Sequence, residues 1–180
     1  YQDGANSNYG IARVGTVSGT SISFGTAVVF YSGATKNTNC SYDSTSQKNV
    51  IAFTEDGGSY RSKALVGTIS GTGISFGSTV TVDTGTNYRG AWPVYDPDQN
   101  KTVVTVSNDT SSSTICYVGT VSGTSISFGS GVTLQSNAAY TLSPTYDTTA
   151  NKIVFCYAKA SSCAARVGTV SGTSISFGTE

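Results

Sequence analysis

The sequence predicts an all-β protein built as a β-propeller-type array of four-stranded antiparallel blades. Two observations support this prediction: a composition typical of sheet, and a unit of about 50 residues that recurs about 3.5 times. The 180 residues include 28 Ser, 27 Thr, 21 Gly and 11 Tyr, but no Met and no His. Hydroxyl, aromatic and β-branched side chains favour twisted sheet, so the composition argues against helical bundles.

The first repeated element is a hairpin with the sequence Val-Gly-Thr-Val-Ser-Gly-Thr-Ser-Ile-Ser-Phe-Gly, which the second copy carries with two substitutions. A two-residue turn with glycine first, as a type II′ turn requires, pairs Val17 with Ile22. The same register lays Phe24 over Gly15, which offsets the weakness of a glycine in a strand. The copies lie 52, 52 and 49 residues apart and begin at Val14, Val66, Val118 and Val167.

The second repeated element is a tyrosine followed by an aspartate and a polar turn. In the copy that begins at Tyr95, Pro97 has the fixed φ that a type I turn favours, and Asn100 is a residue type that tolerates the left-handed conformation. A full repeat is therefore a strand, this turn, a second strand, a variable loop and the hairpin, which makes four strands. The element begins at Tyr42, Tyr95 and Tyr146.

The repeats divide the chain into a single array with one incomplete blade at its start. A β-trefoil is the main alternative, but its three repeats of roughly 40 residues do not match four hairpins. Tyr1 aligns with Phe53, so the first blade begins at the end of a second strand. We expect self-association or a longer parent chain to complete the open blade, since unpaired edges are pairing templates. The predicted blades are 1–30 (partial), 31–82, 83–134 and 135–180 (without its last extension).

Alternating strand direction places the two turns of every blade on one side and the variable loops, among them a loop over 32–38, on the other. Loops on a rigid scaffold usually carry binding. Tyr and Trp offer flat apolar faces with a polar tip, and Arg supplies donors, which suits a polar, weakly charged ligand such as a glycan. The alternative is that the loops only vary and that Trp92 packs between blades. The predicted ligand-binding residues are Tyr60, Arg61, Tyr88, Arg89, Trp92 and Tyr140.

Several kinds of chemistry are not expected. Without histidine there is no Ser-His, Cys-His or His-metal site. Asp96 and Asp98 could form a hydrolytic carboxylate pair or part of a calcium loop, but the loop lacks its glycine and distal glutamate, so a turn role is favoured. We therefore expect no enzyme, no cofactor and no metal. Ten basic and ten acidic residues without a basic stripe argue against nucleic acid, and the apolar runs are shorter than the roughly 18 to 20 residues of a membrane span.

The four cysteines do not form a framework shared by the repeats. Cys156 and Cys163 lie on facing strands of one hairpin and are the pair close enough in sequence to form a disulfide. Cys116 aligns with alanine in the other copies, which predicts a small buried position.

The stretch from Tyr95 to Val104, together with the hairpin sequence, resembles a repeat of large propeller-like proteins of aquatic bacteria and their phages. The resemblance covers essentially the whole chain. It implies a β-propeller array in surface, tail-fibre or adhesin-like proteins, and it implies no catalytic residue. We therefore expect a non-enzymatic recognition module for glycans, located outside the cell, on its surface or on a virion. The alternative is a structural repeat protein that assembles through open sheet edges into a fibre or larger ring.

Overall fold

The computed structural model describes residues 1–180 and confirms that the protein is all-β, with eighteen strands and only antiparallel pairing. No segment of the chain is a helix of the length and apolarity that would cross a membrane. The strands are β1 (Gln2–Asp3), β2 (Tyr9–Ala12), β3 (Gly15–Ser18), β4 (Ser21–Phe24), β5 (Val28–Asp43), β6 (Lys48–Glu55), β7 (Ser62–Ser70), β8 (Gly73–Phe76), β9 (Val80–Thr81), β10 (Tyr88–Asp96), β11 (Lys101–Asn108), β12 (Ser113–Ser122), β13 (Ser125–Phe128), β14 (Val132–Gln135), β15 (Leu142–Asp147), β16 (Lys152–Ala158), β17 (Cys163–Ser171) and β18 (Ser174–Phe177).

The strands follow the repeat, and we refer to 1–30, 31–82, 83–134 and 135–180 as units 1 to 4. Unit 3 forms the sheet β10-β11-β12-β13, and the short extension β14 pairs with the beginning of β12. Unit 4 forms the sheet β15-β16-β17-β18. In the first half of the chain β1, β2, β5, β6, β7 and β8 are hydrogen-bonded in that order, β9 pairs with β7, and β3 pairs with β4.

The connection between units 1 and 2 differs from the expectation. The sequence predicts a loop over 32–38, but these residues lie within the sixteen-residue strand β5. The first part of β5 pairs with β2, where Val28 lies opposite Ala12, and its last part pairs with β6, where Asp43 lies opposite Lys48. The predicted boundary at residue 30 therefore falls inside one strand, which pairs with strands of unit 1 and of unit 2.

The hairpin register is as predicted. Val17 pairs with Ile22 and Gly15 with Phe24, and Gly19 has a φ of 59° at the first turn position. The δ-carbon of Ile22 would lie 2.7 Å from a Cβ atom on Gly15, so isoleucine as well as phenylalanine covers the glycine backbone. Glycine in this strand therefore allows two apolar side chains to lie flat across the hairpin.

The Tyr-Asp element also has its predicted role in a turn. Asp96 is buried, and its Oδ1 accepts hydrogen bonds from the backbone N–H groups of Asp98 and Gln99, both at 3.1 Å. Asn100 takes the expected left-handed conformation, with a φ of 53°. A carboxylate that accepts two backbone donors fixes the chain reversal, and Asp43 and Asp147 do the same in units 2 and 4.

Each of the inner sheets is apolar on both faces. Val103 and Val104 are neighbours on β11 and both are fully buried, but they point to opposite sides. Val104 belongs to a core shared with unit 2, and Val103 belongs to a core shared with unit 4. A third, smaller core around Phe53 joins units 1 and 2. The units therefore stack face to face in chain order.

A glycine at the end of each hairpin sets how closely consecutive units approach. A Cβ atom on Gly25, Gly77 or Gly129 would overlap the carbonyl oxygen of a threonine in the hairpin turn of the next unit. The nearest atom to the same position on Gly178 is 3.8 Å away. The missing side chain therefore allows a backbone contact between sheets at three of the four repeats. The threonines are Thr72, Thr124 and Thr173.

Replacing Gly129 with alanine should separate the hairpin of unit 4 from unit 3. We expect Gly129→Ala to lower the free energy of unfolding by about 1–3 kcal/mol, the range for overpacking a tight contact. Urea denaturation followed by circular dichroism measures the change.

The chain supplies its own control in Gly178→Ala, the same repeat position without a neighbour. This variant should stay within about 0.5 kcal/mol of the parent protein. Equal effects of the two substitutions would contradict the proposed role of the glycine.

Candidate functional site

The variable loops lie together at one end of the stacked sheets. Antiparallel pairing carries the connections after β6, β11 and β16 to the end opposite the Tyr-Asp turns and hairpin turns. The connections that precede β10 and β15 reach the same end. We call this surface the loop face.

Arg89 lies at the centre of the loop face because of a β-bulge. Tyr88 pairs with Asn108 and Gly90 with Ser107, which leaves Arg89 without a partner on β11. A bulge residue turns its side chain away from the regular alternation of the strand. The Arg89 Nε donates to Oδ1 of Asp109, so the cation is held by a carboxylate of the same unit.

Two depressions flank this ion pair. One, of about 540 Å³, lies between units 3 and 4, and the other, of about 520 Å³, lies between units 2 and 3. Arg89 and Asp109 line both of them. Tyrosine and asparagine side chains complete the walls: Tyr140 and Asn137 in the first, and Tyr60, Asn37 and Asn87 in the second.

Each depression places a cation over a tyrosine ring. The Arg89 Cζ lies 4.3 Å from the centre of the Tyr140 ring, and the Lys36 Nζ lies 5.1 Å from the centre of the Tyr60 ring. Lys36 also bonds Asp56 at 2.9 Å, and this hydrogen bond raises the pKa of its ammonium group. Lys36 and Asp56 precede Arg89 and Asp109 by 53 residues each, so the repeat reproduces the ion pair. The tyrosines are not equivalent, because Tyr60 belongs to the same unit as Lys36 whereas Tyr140 comes from the unit after Arg89.

Three predicted residues, Tyr60, Arg89 and Tyr140, present side chains to the depressions. Sequence reasoning missed Lys36 and Asp109, although their 53-residue spacing relative to Arg89 and Asp56 could have indicated both ion pairs.

The other three predicted residues have different surroundings. Tyr88 borders the second depression but is only 5% exposed, and its ring belongs to the core between units 2 and 3. Arg61 is exposed and lines neither depression. Trp92 packs against the core between units 3 and 4, as in the alternative interpretation, and lines a separate depression of about 280 Å³ beside Pro93.

Backbone hydrogen bonds tie the loops of neighbouring units to each other. The N–H of Tyr88 donates to the carbonyl oxygen of Tyr60 at 3.0 Å, and the N–H of Asn87 donates to Ser59 at 3.2 Å. The Asn37 side chain donates to the carbonyl oxygen of Arg89. These bonds cross between units 2 and 3, so the wall residues are held before any ligand arrives.

A half-buried carboxylate anchors the loop that leads to Arg89. Asp83 accepts hydrogen bonds from the N–H of Gly85, at 2.9 Å, and from the hydroxyl of Tyr117. Burial of Asp83 opposes its ionisation, but the hydrogen bonds from Tyr117 and Gly85 outweigh burial and lower its pKa. Burial, reinforced by the nearby carboxylate, raises the pKa of Tyr117. The pair is therefore an ionised aspartate held by a neutral tyrosine.

Cys156 and Cys163, the pair close enough in sequence to form a disulfide, are not bonded to each other in the structure. Cys156 lies opposite Ala165 and Cys163 opposite Ala158, so the two cysteines are diagonal neighbours and both are free. Cys116 occupies the predicted small buried position, with its sulfur 3.2 Å from the Thr105 hydroxyl oxygen, and burial raises its pKa to about 12. No three His, Cys, Asp or Glu side chains lie close enough together to hold a metal ion.

Comparison of the chain with known protein families, with curated proteins and with solved structures finds no match. The interpretation of the loop face therefore depends on its own geometry.

The ionised state of Asp83 makes its contribution to stability depend on pH. The lowered pKa means that the stabilisation is complete above the ordinary value of 3.8 and is lost as the pH falls through the lowered pKa. We expect Asp83→Asn to reduce the free energy of unfolding at pH 7 by about 1 kcal/mol, less than for a fully buried charged hydrogen bond. Denaturation at a series of pH values from neutral to acidic measures the difference.

The difference between the parent protein and Asp83→Asn should shrink as the pH falls below 3.8. Asp98→Asn, at an exposed position in a Tyr-Asp turn, is the control and should stay within about 0.5 kcal/mol. A difference between parent and Asp83→Asn that is constant with pH would refute the role of the charge.

Proposed function

We propose that the protein is a β-propeller-type repeat protein whose loop face recognises glycans without catalysing a reaction. The propeller assignment is supported by repeated antiparallel sheets that stack face to face in chain order and carry their variable loops at one end. Propeller blades have four strands each and bury both faces against their neighbours.

The observation that carries the glycan proposal is the Arg89–Asp109 pair between two tyrosine-walled depressions. The carboxylate of Asp109 can accept from two neighbouring sugar hydroxyls, and the guanidinium of Arg89 can donate to ring and hydroxyl oxygens. The rings of Tyr60 and Tyr140 each have a cation over one face, and the opposite face is flat apolar surface of the kind that packs on a sugar ring. Both kinds of group converge on the same two depressions.

The charges around the depressions favour a neutral glycan over an acidic one. Each cation on these walls has a carboxylate partner in the chain: Asp56 for Lys36, Asp109 for Arg89, and Glu180 for Lys159. An acidic sugar would have to compete with these partners, whereas neutral hydroxyls can bond to the pairs as they stand.

We place the module where glycans are displayed, outside the cell, on a cell surface or on a virion. This localisation follows from the proposed ligand class.

A glycan array followed by calorimetric titration tests the proposal. We expect a neutral oligosaccharide to bind, and Tyr140→Ala to weaken binding at least tenfold because the ring forms one wall of a depression. Arg89→Ala should weaken binding to a similar extent because the same guanidinium lines both depressions.

Matched controls lie on the same chain. Tyr42 is 53% exposed and Tyr140 is 51% exposed, but Tyr42 lies at the opposite end of its sheet, so Tyr42→Ala should keep full affinity. Arg61→Ala is the matched control for the arginine. The proposal fails if no neutral glycan binds, or if the control variants lose affinity as much as the variants of the depression walls.

A further inference from the structure

The hairpin of unit 1 exposes an apolar face that is buried in unit 4. Val17 is 71% exposed, whereas the equivalent Val170 is 5% exposed. Ile22 and Phe24 on the same face are also exposed, whereas Ile175 is buried in the core shared with unit 3. The twelve residues that begin at Val14 and at Val167 are identical, so the difference comes from the preceding sheet and not from the hairpin.

Unit 4 exposes the complementary face. Val66 and Val118 are fully buried beneath the hairpin of the next unit, but the equivalent Val167 is 45% exposed. Cys156 and Ala165 continue this exposed face and line a largely apolar depression of about 540 Å³.

Unit 4 also lacks the backbone contact between a glycine and a hairpin-turn threonine that joins consecutive units. The hairpin turn of unit 4 places the Thr173 carbonyl against Gly129 of unit 3. Gly178 repeats Gly129 and has no such neighbour, and Thr20 in the first hairpin turn repeats Thr173. Unit 4 thus presents the apolar surface and the glycine notch that unit 3 uses to hold a hairpin.

We propose that copies of this chain associate head to tail, with the first hairpin of one copy packed on unit 4 of the next. Val17 then takes the place of Val170, and the Thr20 carbonyl meets Gly178. We assign the exposed face of unit 4 to a second molecule of this chain, because the first hairpin of that molecule has the same twelve residues as the hairpin of unit 4, which packs on unit 3.

The contact joins unlike surfaces, which generates rings or filaments and does not stop at a symmetric dimer. It uses sheet faces, whereas the sequence led us to expect association through sheet edges.

Analytical ultracentrifugation of the 180-residue chain over a range of concentrations tests the proposal. The parent protein should sediment as species larger than the monomer. Val17→Asp should abolish association by charging the hairpin face, and Val167→Asp should abolish it by charging the face of unit 4. Both side chains are exposed in the single chain, so both variants should fold, which circular dichroism checks.

Mixing the two variants distinguishes this contact from any other. Val17→Asp retains an intact unit 4 and Val167→Asp retains an intact hairpin, so the equimolar mixture should form a heterodimer that cannot grow. Tyr42→Asp, an exposed position away from both faces, should assemble like the parent protein. A monomeric parent at all concentrations, full assembly of either single variant, or a mixture that stays monomeric would each overturn the proposal.

Discussion

The structure depends on one constraint: a sheet that is apolar on both faces must be covered on both. Val103 and Val104 are adjacent, fully buried and directed to different neighbours, so unit 3 cannot be stable alone. Burial of such a side chain stabilises the folded state by about 1.5–3 kcal/mol. The side chains on each face are buried only while the neighbouring sheet on that side is in place. Stability in a stack of this kind is a property of the interfaces between units as much as of the units.

The features that the sequence predicted correctly are those set by short-range chemistry. A two-residue turn with glycine first leaves one register for the hairpin, so the pairing of Val17 with Ile22 follows from local sequence. The aspartate turn is equally local, because the Asp96 side chain reaches the N–H groups two and three residues later. Repetition strengthened both predictions, since each was available in several copies.

The features that it missed depend on partners distant in the chain. Residues 32–38 are rich in Ser, Gly, Thr and Asn and have the composition of a loop, but pairing on both sides makes them part of a strand. In the candidate site, the bulge turns the half-buried Arg89 side chain towards the two depressions and leaves Tyr88 buried. A bulge is one extra residue relative to the neighbouring strand, so it cannot be recognised from the sequence of one strand alone. The sequence therefore predicted the same ligand-binding role for Tyr88 and Arg89.

The continuous strand β5 couples units 1 and 2 more strongly than the other units are coupled to each other. A strand that supplies hydrogen bonds to two sheets cannot detach from one without disturbing the ladder of the other. Units 2 and 3, and units 3 and 4, are joined by loops and share no strand. Amide hydrogen exchange should therefore divide the chain into three cooperative segments instead of four, the first of them spanning units 1 and 2 together.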